Sequence, residues 1–137
     1  MNDSCIFCCI IAGTVPAEKV YEDEGVIAFL DIHPIRPGHT LVVPKVHSTN
    51  LLDAEASSLA ALSATLPKLA NAVIRVTGST GCNIGINNGA SAGQTAMHLH
   101  VHVIPRIEGD GLVSWGHSEP TSEALADQAR AIREAMH

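Results

Sequence analysis

The sequence predicts an α+β domain in which short strands surround one long Ala- and Leu-rich helix. Two observations carry the prediction. Runs of β-branched and aliphatic residues, closed by Pro, Gly or an acidic turn, recur within residues 19–43 and 82–104. Between them, residues 53–76 repeat apolar side chains at three- and four-residue steps, as a helix with one core-facing stripe does. No internal repeat, low-complexity tract or linker divides the 137 residues, so one domain is expected over 1–137.

Each element has a local reason. Residues 4–12 are an apolar helix candidate, with Ser4 as N-cap and Gly13 as stop. After Pro16, residues 19–22 and 26–30 read as two strands joined by an Asp23-Glu24-Gly25 turn. Two prolines and a glycine make 31–38 irregular, and Thr40 then opens a short strand closed by Pro44. In the long helix Leu59, Leu62, Leu66, Leu69 and Val73 mark the stripe, and Asp53 is the expected N-cap. Pro67 lacks an amide hydrogen and is expected to kink or divide that helix. A strand at 82–86, a small-residue loop at 87–93 and a strand at 97–104 stopped by Pro105 follow. Residues 108–120 read as loop, and 122–136 as a polar, Ala-rich final helix.

Composition narrows the function. Apolar residues make up 46% of the chain and charged residues 16%, the balance of a globular protein and not a disordered one. Eight basic residues against 14 acidic ones give a net charge of −6, which argues against a polynucleotide partner. Any phosphate is expected to be held locally, by histidines and backbone amides. The apolar stretch at 5–12 is too short to span a bilayer and follows Asp3, where a signal peptide carries positive charge. No membrane segment and a cytoplasmic location are therefore expected. There the four cysteines stay reduced, and a metal or packing role outranks disulfides.

The chemistry concentrates at 97–104. On a strand alternate side chains share a face, so His98, His100 and His102 project together while Leu99, Val101 and Val103 point the other way. Core packing does not explain three histidines in a row; one metal shared by all three rings is a competing reading. The preceding loop, Asn87-Asn-Gly-Ala-Ser-Ala-Gly-Gln-Thr95, can aim backbone N–H groups and short polar side chains at an anion. Neutral imidazole is nucleophilic near pH 7, so loop and histidines together suggest attack on phosphorus.

The stretch His98-Leu-His-Val-His-Val-Ile104 matches the His-φ-His-φ-His-φ-φ signature of the histidine triad (HIT) superfamily, with φ apolar. Residues 28–34, 37–45 and 92–95 also resemble segments of that family, in the family order, and the likeness covers about 5–110. It implies a HIT-like antiparallel sheet of about five strands with one central helix and a C-terminal helix, extended across a homodimer. It implies that His100 is the nucleophile of a nucleotidyl-histidine intermediate, flanked by His102 near the leaving group and by His98 as support. Asn87, Gln94 and Thr95 fall at phosphate-contact positions, and Asp31 where a carboxylate holds the ribose hydroxyls. Ile6, Phe7, Ile10, Phe29 and Ile32 fall at the base pocket. His39 matches a supporting position near the site, whereas His33, His117 and His137 are expected at the surface.

Cys5-Ile-Phe-Cys8 spaces two thiolates for one tetrahedral zinc, and two further ligands are needed. By family likeness these are His47 and His98, which makes a structural Zn2+ site of Cys5, Cys8, His47 and His98. Cys9 and Cys82 are expected as buried small hydrophobes. The implied activity is hydrolysis or transfer at the α-phosphate of a purine nucleotide, without a catalytic metal. Phosphoramidate (P–N) cleavage of the Hint branch is the first reading and dinucleoside polyphosphate hydrolysis of the Fhit branch the second. A nucleotide-binding protein without significant turnover, and a zinc carrier using all three triad histidines, are the readings outside that activity.

Overall fold

The computed structural model describes residues 3–112 and 119–136. Its elements run α1 (Ile6–Ala12), β1 (Lys19–Glu22), β2 (Val26–Leu30), β3 (Thr40–Pro44), α2 (Ala56–Thr77), β4 (Gly81–Gly85), β5 (Val101–Arg106) and α3 (Ser122–Ala135). The five strands form one antiparallel sheet in the order β1-β2-β3-β5-β4. The α+β class and the five-strand HIT-like sheet are therefore as expected.

Register decides what each face of the sheet carries. Phe29 lies opposite Leu41, and Leu41 opposite His102, so these three share a face. There Phe29, Leu41, Ile27 and Val43 pack with Phe7 of α1. The alternate residues Val26, Ala28, Val42, Val101 and Val103 face the other way and pack against Leu62, Leu69 and Ala70 of α2. The sheet thus presents its histidine-bearing face to the short helix and its purely apolar face to the long one. By length and mean hydropathy α2 also meets the requirement for crossing a membrane, a match that the reading of shorter apolar runs did not anticipate. Its stripe lies against the sheet as a core helix's does.

Several boundaries differ from expectation, each for a local reason. Cys5, not Ser4, caps α1: its sulfur accepts the Cys8 N–H at 3.4 Å, and Gly13 closes the helix in the left-handed region. Asp53 does not cap α2. It ends a 3-10 turn, Leu51–Asp53, where its carboxylate accepts the Thr49 and Asn50 amides, and α2 starts after Glu55. Pro67 does not divide α2, which runs unbroken through it. Pro67 and Ser63 are both exposed, so the carbonyl deprived of its donor faces solvent. Cys9 and Cys82 are half-buried and not fully enclosed.

The last strand starts at Val101 and not at Met97, because the preceding backbone bonds elsewhere. The Leu99 amide donates to Ser48 O at 3.0 Å, and the His98 carbonyl accepts from the His100 ring. The strand then continues through Pro105, opposite Cys82 of β4. Pairing with β3 has already ended at Thr40 opposite Val103, so the proline breaks no ladder on that side. In α3, Thr121 accepts the Ala124 amide, and the side chains of this helix are exposed. His33 is exposed as expected; His117, His137 and part of the 108–120 loop lie outside the described residues.

Gly38 fixes the approach of the 31–38 segment to the end of α2. Its φ is +96°, and an added Cβ would lie 2.5 Å from Thr77 Cγ2. Gly38→Ala should therefore destabilise the fold by about 2–3 kcal/mol, a fall in Tm of roughly 5–15 °C by thermal unfolding. Adding Thr77→Ser removes the clashing methyl and should recover about half of the loss, leaving the backbone cost. Equal losses with and without Thr77→Ser would show that the contact is immaterial.

Candidate functional site

His98 is fully buried and bonded on both ring nitrogens. Nε2 lies 2.8 Å from Pro44 O; a carbonyl only accepts, so Nε2 carries the proton and Nδ1 keeps its lone pair. That lone pair meets Cys5 Sγ at 3.4 Å, Cys8 Sγ at 3.6 Å and His47 Nδ1 at 3.1 Å. Cys8 Sγ is also 3.4 Å from His47 Nδ1. Metal–sulfur bonds of about 2.3 Å and metal–nitrogen bonds of about 2.0–2.1 Å put neighbouring tetrahedral ligands about 3.3–3.8 Å apart. Three of these four distances fall in that range and the His47–His98 pair is slightly closer; all four donor atoms lie within 4.8 Å of one another, so these residues can hold a metal. Burial keeps His98 below the ordinary histidine range, in the neutral form a ligand needs.

His100 follows two residues later. Its Nδ1 donates to the His98 carbonyl at 2.7 Å, which leaves Nε2 with the lone pair. Its ring stands edge-on to Phe7, with centroids 5.1 Å apart, and 4.9 Å from the ring of His102. Phe7 meets His98 in the same way at 6.0 Å. His102 Nδ1 lies 2.9 Å from His39 Nε2, and His39 Nδ1 accepts the Ile35 amide at 3.0 Å. Asp31 Oδ2 is 3.5 Å from His39 Nε2, while Oδ1 accepts the His33 amide at 2.8 Å. Burial, reinforced by the neighbouring rings of His100 and His39, pushes His102 down to about 4. Burial also lowers His39, against the pull of Asp31.

Two clefts meet at His102. One, of about 290 Å³, is bordered by His100, His102, Asp31 and Thr95. Ile6, Phe7, Ile10, Phe29 and Ile32 all border it too, so the expected base-pocket residues converge. Phe7 and Phe29 are also core residues, and Ile32 is an exposed rim residue. The second cleft, of about 410 Å³, is bordered by His102, Asn87, Asn83, Ile104 and Arg106. Asn87 thus borders the second cleft and Thr95 the first.

Gln94 departs from its expected phosphate contact. It is buried, its amide nitrogen donates to Thr49 O at 2.6 Å and Ala96 O at 3.0 Å, and its carbonyl accepts from Gly89 N and Asn50 Nδ2. Both its hydrogens are engaged, so the side chain ties the 89–96 loop in place and offers no donor to a ligand. The second cleft was missed from sequence, although a signal existed. Ile104 and Arg106 follow His102 at two-residue steps and share its face. Arg106 is held by Asp110 at 2.7 Å and by Asn83.

Comparison with known proteins agrees with this geometry. The sequence model of the HIT domain matches residues 12–109. The chain is 46% identical over 110 residues to Protein hit of Bacillus subtilis, covering 80% of this chain and 76% of that one. It is 42% identical over 112 residues to the adenylylsulfatase HINT3 of Arabidopsis thaliana, covering 82% of this chain but only 57% of that longer protein. A solved protein of Streptococcus mutans UA159 superposes with a TM-score of 0.93 at 44% identity, over 100% of this chain and 87% of that one. A Zn-bound histidine triad family protein from Mycobacterium smegmatis superposes with a TM-score of 0.76 at 40% identity, over 93% and 97% of the two chains.

The lowered histidines have a sign in pH. His102 binds its proton near pH 4 when folded and near its ordinary 6.5 when unfolded, so the unfolded chain takes up more protons between those values. Stability conferred by the neutral ring is present above pH 6.5 and is lost as pH falls toward 4. The Tm of the wild type should fall through this window, and that of His102→Gln should fall less steeply. A variant slope as steep as the wild type's would refute the assignment.

Proposed function

The chain belongs to the HIT family, and from that premise we propose a nucleotide hydrolase or transferase acting at the α-phosphate through a nucleotidyl-His100 intermediate. The observation that carries this reading is the His100 ring: Nδ1 is tied to a carbonyl, and the residue borders the cleft beside His102. In the first step the Nε2 lone pair forms the N–P bond while the bond from phosphorus to the leaving group breaks, its electron pair departing with that group. Water then attacks the same phosphorus, the N–P bond breaks, and the nucleotide monophosphate leaves His100 restored. The nucleophile is the ring nitrogen itself, so this design calls for no metal-bound water. The adduct does not accumulate in a protein that only binds nucleotides.

The remaining roles follow from position. Thr95 and Asn87, which border the two clefts that meet at His102, would contact phosphoryl oxygens, and Asp31 the ribose hydroxyls. Ile6, Phe7, Ile10, Phe29 and Ile32 would enclose a purine. We favour a phosphoramidate as substrate. A second reading, an adenylyl anhydride with sulfate as leaving group, is favoured by the likeness to an adenylylsulfatase, and dinucleoside polyphosphates would use the same His100 step. We assign zinc to Cys5, Cys8, His47 and His98. Four protein ligands leave no open position, so the ion is structural and ties α1 to the segment before β5. A reducing cytoplasm suits its thiolates. The sheet edges at β1 and β4 suit the homodimeric extension implied by the family.

Adenosine 5′-phosphoramidate added to the wild type and quenched within a turnover should leave a nucleotidyl adduct at His100, seen by mass spectrometry. His100→Ala should carry none and lose about a thousandfold or more in kcat. Undiminished turnover in that variant removes the nucleophile. Purified protein should contain one zinc per chain, and Cys8→Ala should lose it with a Tm lower by roughly 10 °C. Zinc kept in Cys8→Ala but lost in His100→Ala would instead mark the triad as the metal site.

A further inference from the structure

We propose that Asp110 sets the leaving-group specificity of the second cleft by withholding the Arg106 guanidinium from the ligand. The cleft then takes an uncharged amine with an alkyl or aryl body, and disfavours a group that carries phosphate, sulfate or carboxylate. The proposal rests on the nucleotide-transfer reading. In a displacement at phosphorus the attacking and leaving atoms lie roughly in line, on opposite sides of it. His100 borders only the first cleft, whereas His102 borders both, which leaves the second for a departing group. At about 410 Å³ it has room for far more than ammonia. Gly85, opposite His102 on β4, borders it, and an added Cβ there would meet nothing within 4 Å.

Ile35, Ile104 and Leu112 give this cleft apolar walls, and Asn83 and Asn87 add amides. Among the described residues, Arg106 is the one permanent cation on its border. A guanidinium has five N–H groups, and four of these are taken. Nε and Nη2 grip the two oxygens of Asp110 at 2.7 and 3.1 Å. Nη2 also donates to Leu112 O at 3.3 Å, and Nη1 donates to Asn83 Oδ1. The Asp110 side chain is only 3% exposed and accepts two backbone amides besides, Leu112 N at 3.0 Å and Ile107 N at 3.3 Å. Arg106 first, and then these amides, hold its carboxyl well below the usual carboxylate range. Asp110 therefore stays charged and cannot turn away without leaving a buried charge unpaired. A phosphate would find one N–H left on a guanidinium whose charge is already matched; gaining more would break a two-point ion pair. An amine asks for no such exchange. The P–N bond breaks with its electron pair on nitrogen, the nitrogen takes a proton from solvent, and the uncharged body rests against apolar walls.

Two N-substituted phosphoramidates of AMP, made with benzylamine and with 4-carboxybenzylamine, differ by one remote negative charge and little at the reacting nitrogen. Wild type should favour the benzyl compound by about tenfold or more in kcat/KM. Asp110→Asn leaves the Arg106 charge unmatched and should cut that preference about tenfold. Asp110→Asn combined with Arg106→Gln removes both charges and should bring the preference back. Damage to the fold alone would slow both compounds alike and would not be reversed by a second substitution. Gly85→Leu, which fills the cleft, should lower kcat/KM for the benzyl compound relative to unsubstituted adenosine 5′-phosphoramidate by about tenfold. Equal wild-type rates for the matched pair, a parallel loss of both in Asp110→Asn, or an unaltered ratio in Gly85→Leu would each overturn the proposal. Mass spectrometry of His100 separates this from the reading beneath it. With no adduct from either compound, nucleotide transfer fails and takes the proposal with it; adduct formed equally fast from both removes the proposal alone.

Discussion

The hydrogen bond from His98 Nε2 to the Pro44 carbonyl is the constraint on which both halves of the site depend. It turns the bare Nδ1 of His98 toward Cys5, Cys8 and His47. The backbone carbonyl of the same residue accepts from His100 and leaves that ring's Nε2 with the lone pair. One residue thus orients a cluster able to hold a metal with its side chain and the proposed nucleophile with its main chain. Breaking the Pro44 contact would free the His98 ring to turn and would disturb both. The bond is formed where β3 ends, so the sheet itself supplies the acceptor.

Every decisive proton in the site is assigned by a group that does not titrate. Pro44 O sets His98, His98 O sets His100, and Ile35 N sets His39 and through it His102. An acidic chain can in this way present oriented N–H groups to the proposed nucleotide without a basic surface. The histidine-bearing face is built from oriented N–H groups and imidazole rings, whose placement costs little in self-repulsion and does not shift with salt as a patch of lysines would.

Much of this was legible in the residues, and the failures are instructive. Strand alternation correctly separated His102 from Val101 and Val103, because these lie on a true ladder. It reached His98 and His100 for the wrong local reason. Those two residues precede the strand, and their geometry comes from bonds to Pro44, Ser48 and each other, partners up to 54 positions away that no local pattern contains. The Cys5–Cys8 spacing announced half of a cluster that can hold a metal, while His47 and His98 could be added only by likeness to a family. Asp53 and Pro67 misled because capping and breaking rules describe isolated helices. Here a 3-10 turn took the cap, and solvent exposure made the proline tolerable. Gln94 looked like a ligand group because its type fits one, but burial and four bonds inside the protein gave it a scaffolding task.

The seven residues of α1 are too few to stay helical by themselves in water. The helix persists because Cys5 and Cys8 anchor one end of it to His98 and His47, while Phe7 wedges between the rings of His98 and His100. The apolar wall it lends to the cleft is accordingly preorganised at a distance. Loosening that anchorage would leave every contacting side chain chemically intact and still weaken a bound guest, since the guest would then have to freeze the wall for itself.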